Sequence, residues 1–113
     1  MEKVMLAKTS VSAHAYDSKL EAAYAEVLDW RLRAREVQRW MHHALTLKLA
    51  DDVRYTPDFL VVASDGVLEC HECKGFMRDD ARVKLRVAAR LFPFRFILVT
   101  RPKTGWVFET ITP

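Results

Sequence analysis

Residues 64–66, Ser64-Asp65-Gly66, separate two stretches of strand-forming residues, and no other feature constrains the fold as tightly. An Asp-Gly pair supplies the positive φ angles that a tight hairpin turn requires. The run before it, residues 55–62, is β-branched and aromatic, with Pro57 near its start, where proline is tolerated in a strand. The run after it, residues 67–74, is the returning strand, and Gly75 ends it. Alternate residues of a strand share a face. Glu72 and Lys74 therefore point the same way, with Leu68 and Cys70 further back along that face. His71 lies on the opposite face from Glu72, and Cys70 on the opposite face from Cys73. Closing the hairpin brings Asp58 back beside Glu72.

The flanking segments supply helices and further strands. Ser18-Lys19-Leu20-Glu21 fits a capping box, followed by Leu20, Tyr24, Val27 and Leu28 at helical spacing, so a helix is expected from Ser18 to about residue 34. Residues 37–41 and 46–49 read as strands, and Asp51-Asp52 as a turn. Asp79-Asp80 caps a second helix over about residues 80–91, with Ala81, Leu85, Ala88 and Phe92 as its inward stripe and Pro93 as its stop. Residues 94–100 form a strongly apolar strand suited to a sheet interior, and residues 105–111 a last edge strand. The expected class is α/β, a mixed sheet flanked by helices in the order α-β-β-β-α-β-β. It forms a single domain over residues 18–113, after an N-terminal segment, residues 1–17, expected to be flexible.

With 113 residues, half of them hydrophobic and 29% charged, the composition is that of one globular unit. No apolar run approaches the roughly 18 residues of a membrane span, and the N-terminus lacks the apolar stretch of a secretory signal. A soluble, cytoplasmic protein with no membrane partner is expected. The net charge of +3 conceals a segregation. Residues 55–73 hold four acids and no Lys or Arg, whereas residues 74–103 hold nine bases against two acids. A basic flank attracts polyanions such as nucleic acid, and the acidic island would repel them unless a cation neutralises it.

Asp58, Glu72 and Lys74 carry the candidate chemistry. Two clustered carboxylates repel one another or recruit a cation. A few hard oxygen ligands, completed by a backbone carbonyl such as that of Cys73, suit Mg²⁺ or Mn²⁺. Such an ion polarises a phosphate and lowers the pKa of a bound water, and Lys74 is placed to orient that water or to stabilise transition-state charge. An exposed Asp and a Glu–Lys pair on one strand face are the ordinary alternative. Cys70-His71-Glu72-Cys73 looks like a zinc knuckle, but its cysteines lie on opposite strand faces and lack a second ligand pair, so buried thiols are expected. His42 and His43 are adjacent, which does not match the usual zinc spacing, and they are read as lying outside the catalytic set. No Gly-rich phosphate loop is present, so no nucleotide cofactor is expected.

At Tyr55-Thr56-Pro57-Asp58-Phe59 followed by Glu72-Cys73-Lys74-Gly75, the chain resembles the PD-(D/E)XK nuclease superfamily. The stretch from Ser18-Lys19-Leu20-Glu21-Ala22-Ala23-Tyr24-Ala25 through Phe96-Ile97-Leu98-Val99-Thr100 looks like the small phage endonucleases of the endonuclease I type, relatives of Holliday-junction resolvases. The resemblance covers about residues 18–110. It implies a restriction-endonuclease-like core and a Mg²⁺-dependent endonuclease acting on duplex or branched DNA, in a bacterial or phage-infected cell. It implies Glu21, Asp58, Glu72 and Lys74 as catalytic residues, with Glu21 reaching the metal directly or through water. Glu21 has a second explanation, closure of the capping box on Ser18. On the second helix, Arg78, Arg82, Lys84 and Arg86 are expected to contact DNA, with Arg90 undecided; a solvated helix face explains them equally well. One site on a small chain favours a homodimer for cutting two strands. The alternative class is a non-catalytic nucleic-acid-binding module or a subunit of a recombination or repair complex.

Overall fold

The computed structural model describes Tyr16, residues 18–75 and residues 79–113, the side chains of residues 79 and 80 excepted. Helix α1, Lys19–Arg33, starts at Ser18, whose Oγ accepts a hydrogen bond from the Glu21 N–H. Strands β1 (Val37–His42), β2 (Leu47–Ala50), β3 (Val53–Tyr55), β4 (Phe59–Ala63) and β5 (Leu68–Cys73) follow. Helix α2, Asp79–Leu91, then leads to β6 (Arg95–Thr100) and β7 (Val107–Ile111). The protein is α/β, as expected. Five strands stand between the helices, however, where four stretches read as strand and the expected order counted three.

The extra strands have local causes. Asp51 and Asp52 turn the chain so that β2 and β3 pair as a small separate hairpin. Pro57 then ends that pairing, because it has no N–H to give to a ladder. The expected strand over residues 55–62 is therefore split, and the chain crosses at Pro57-Asp58 from the small sheet into the large one. Strand β5 stops at Cys73, not Lys74, although the Lys74 N–H still reaches the Val99 carbonyl at 3.0 Å.

The large sheet runs β1-β4-β5-β6-β7. Its β5/β6 pair is parallel and the others are antiparallel. Parallel neighbours need a long crossover, and α2 lies within it. Strand β6 is interior and β7 is an edge, both as expected. The β4–β5 turn differs in detail. Gly66 alone takes a positive φ, 87°, while Asp65 caps the turn through its side chain, accepting from the Val67 N–H at 3.0 Å.

The two faces of the sheet carry separate cores. On one, Tyr24, Ala25 and Leu28 of α1 pack on Val37, Trp40, Phe59, Val61, Cys73, Ile97 and Val99. On the other, Leu85 and Ala88 of α2 meet Leu47, Tyr55, Cys70, Phe96, Leu98 and Ile111. Burying one such aliphatic or aromatic side chain contributes roughly 1.5–3 kcal/mol. The stripes expected on both helices face the cores, with Leu20, Val27 and Phe92 at their margins, except that Ala81 is half-buried and in neither core. Among the described residues no helix is long and apolar enough to cross a membrane. Apart from Tyr16, the expected N-terminal segment of residues 1–17 lies outside the described residues.

Candidate functional site

The crossing at Pro57 leaves Asp58 at the entrance to β4, level with the end of β5. Its N–H donates to Glu72 Oε1 at 3.3 Å, and its Oδ2 accepts from the Cys73 N–H at 2.9 Å. The Tyr55 hydroxyl donates to the same Glu72 Oε1 at 2.8 Å. Lys74 Nζ stands 3.4 Å from Glu72 Oε2. The hairpin thus brings Asp58, Glu72 and Lys74 together, as its strand periodicity requires. Both carboxylates are buried. Burial, and then the charge of Glu72, push the Asp58 carboxyl up to about 8, with Glu21 adding to the rise. The Cys73 N–H and Lys74 offset this only in part. Burial and the neighbouring Glu72 also hold the Tyr55 hydroxyl far above its ordinary range, so it remains a donor.

Glu21 reaches this region from the opposite side of the sheet. Its N–H completes half of the capping box. Its carboxylate turns to the histidines instead of back along the helix, with Oε1 3.0 Å from His42 Nε2 and 3.8 Å from His43 Nε2. The Glu21 N–H serves the cap, whereas the foreseen closure of its side chain back onto Ser18 gives way to contact with the histidines. His43 Nε2 also lies 3.7 Å from Asp58 Oδ1, which joins the two groups into one cluster at the end of the sheet. Glu21, His42 and His43 each offer a ligand atom, and these atoms lie within 4.8 Å of one another.

The histidine pair is what the sequence reading left out. Strand alternation sends adjacent side chains to opposite faces. His43 escapes this rule because it closes β1 with φ 48°, in the left-handed region that few non-glycine residues enter. The two imidazoles consequently stack, with ring centroids 3.8 Å apart and planes at 22°. The available signal was tertiary: β1 pairs with β4 in a register that sets His42 opposite Phe59, and the His43 N–H bonds to the Asp58 carbonyl at 3.0 Å.

The remaining expectations fall as follows. His71 is buried, structural and on the far face: the Tyr24 hydroxyl donates to its Nδ1 at 2.6 Å, and its Nε2–H donates to Glu69 at 2.8 Å. Arg95 closes this chain on Glu69. Cys70 and Cys73 are free and buried in opposite cores, so they cannot share an ion. Burial pushes the Cys70 thiol up to about 12. Of the two tryptophans whose environment was open, Trp40 is buried and donates to Asp29, whereas Trp30 is 67% exposed. Arg82 grips Glu109 of β7 through both guanidinium nitrogens. Lys84, Arg86 and Arg90 are exposed on α2. Arg78 lies outside the described residues. Compared with models of protein families, with curated proteins and with solved structures, the chain gives no match.

Proposed function

We propose that the chain is a metal-dependent endodeoxyribonuclease with a restriction-endonuclease-like core, hydrolysing phosphodiester bonds in duplex or branched DNA. The observation that supports this reading best is the trio Asp58, Glu72 and Lys74. Two buried carboxylates share one hydrogen-bond network with a single, partly exposed ammonium beside them. Burial first, and then the charge of Glu72, drive the Asp58 carboxyl to about 8, and a divalent cation relieves that penalty on its charged form. The donors therefore fit Mg²⁺ or Mn²⁺, with Asp58 and Glu72 holding the ion, the Cys73 carbonyl completing the set and Glu21 assisting directly or through water. When bound, such an ion supplies Lewis-acid polarisation of the phosphate and a more acidic water.

The protein's own groups do the rest. Tyr55 and the Asp58 N–H fix Glu72 Oε1, leaving Oε2 to face Lys74. The Lys74 ammonium orients the attacking water for in-line displacement or stabilises the charge growing on the phosphate oxygens. Exposed Lys84 and Arg86, with Arg78 and Arg82, supply contacts to the phosphate backbone. A homodimer would give two such sites for the two strands of a duplex or junction.

The test is incubation of supercoiled plasmid and a four-way junction with the protein in Mg²⁺, Mn²⁺ or EDTA. Cleavage is expected with either ion and lost in EDTA, in Asp58→Ala and in Lys74→Ala, while a gel-shift assay shows DNA still bound. DNA binding without cleavage by the wild type in either ion would favour a binding module over an enzyme.

A further inference from the structure

We propose that Glu21, His42 and His43, with Asp58 beside His43 at the edge, form a site for a borderline divalent transition ion of the zinc class, a different ion chemistry from the oxygen-only set assigned to Mg²⁺ or Mn²⁺. The site shares Asp58 and Glu21 with the nuclease reading but does not depend on hydrolysis.

Geometry carries the first part of the case. Ligands about 2.1 Å from an ion stand roughly 3.0–3.4 Å apart in octahedral or tetrahedral sites. Glu21 Oε1 and His42 Nε2 are 3.0 Å apart, His43 Nε2 and Asp58 Oδ1 3.7 Å, and His43 Nε2 and Glu21 Oε1 3.8 Å. The two longer separations exceed hydrogen-bond reach. They are spacings that an ion lying between the groups closes by a small side-chain movement.

Chemistry and backbone carry the second part. Two imidazoles and a carboxylate, with a second carboxylate at the edge, suit Zn²⁺, Co²⁺, Ni²⁺ or Fe²⁺, whereas Mg²⁺ avoids nitrogen ligands. Two of the three cluster side chains are more than nine-tenths buried, His42 at 5% exposure and Glu21 at 9%, and the neighbouring Asp58 stands at 11%. His43, at 34%, forms the rim through which an ion and its water enter. The left-handed backbone at His43 is one that few non-glycine residues adopt, and it brings the second imidazole to the same side as the first.

The experiment titrates the EDTA-stripped full chain with Zn²⁺ and separately with Mg²⁺ by calorimetry, and records the visible spectrum on adding Co²⁺. One equivalent of Zn²⁺ is expected to bind at least about tenfold more tightly than Mg²⁺. Co²⁺ should give d–d bands, with X-ray absorption showing two imidazoles and no sulfur. His43→Gln, at the exposed rim, should weaken Zn²⁺ about tenfold or more without altering the far-ultraviolet circular dichroism. His42→Gln should do the same; should that buried variant fail to fold, His43→Gln decides alone. Equal affinity for Zn²⁺ and Mg²⁺, sulfur ligation, or Zn²⁺ affinity unchanged in His43→Gln would overturn the site. Plasmid left intact by a protein that still binds Zn²⁺ with this specificity counts against the nuclease reading alone.

Discussion

Asp58 meets two demands. Its Oδ2 must accept from the Cys73 N–H, which places it, and its charge must survive beside Glu72 and Glu21 in a buried setting. Without a cation the second demand is a cost to the fold. Asp58→Asn keeps an amide oxygen for Cys73 and removes the charge. In EDTA at pH 7 that variant should be more stable than the wild type by about 1–3 kcal/mol in urea denaturation, and in Mg²⁺ it should lose cleavage. A less stable variant would mean that the carboxylate is not under the strain its surroundings imply. Asp58, Glu72 and Lys74 were all readable from strand periodicity and one turn. His42 and His43 were not, because a single left-handed residue overrides the alternation on which that reading depends.

Among the elements, the β4–β5 hairpin holds the site in register. Its turn depends on Gly66, which takes φ 87° with open space around its missing Cβ. Gly66→Ala meets no clash, so the penalty is conformational and should be about 1 kcal/mol by thermal or urea melting. An unchanged melting midpoint would show that the turn relaxes to another form. Strand β5 also ties three elements together through Tyr24, His71, Glu69 and Arg95. His71 is pushed below its usual value by burial, and Glu69 below its own by the His71 hydrogen bond and then by Arg95. The signs agree. The unfolded histidine takes its proton at a higher pH than the folded one, and the stability Glu69 supplies is lost as pH falls through its lowered folded value. Stability should therefore drop as pH falls from about 6.5 towards 4. Glu69→Gln should cost about 1–2 kcal/mol at pH 7 and converge with the wild type only once pH falls below the lowered folded value of Glu69, measured by urea denaturation from pH 7 downwards. Parallel curves would contradict the network. The strand face of His71 was plain from its neighbours, but its partners on α1 and β6 come from across the fold.

For the molecule as a whole, the charge segregation acquires an address. Of the hairpin acids, Asp58 and Glu72 lie in the cluster, Glu69 is buried against His71 and Arg95, and Asp65 lies at the exposed turn, while Lys84, Arg86 and Arg90 lie on the exposed face of α2. Lys84→Ala with Arg86→Ala should weaken DNA binding across all sequences and lower the salt slope by about 2, read from affinities at several salt concentrations. An unchanged slope would place the DNA elsewhere. Arg82 is a poorer choice for that experiment, since removing it also releases Glu109. Local order settled a great deal in advance: both helices and their buried stripes, the turn at Gly66, and the common face of Glu72 and Lys74 all follow from spacing a few residues long. What waited for the tertiary structure was every relation between distant segments. The split at Pro57 into two sheets, the union of Glu21 with the histidines and the bridge from His43 to Asp58 depend on which strands pair and which face each helix covers. Those choices are made by packing and register over the whole chain, which no local periodicity encodes.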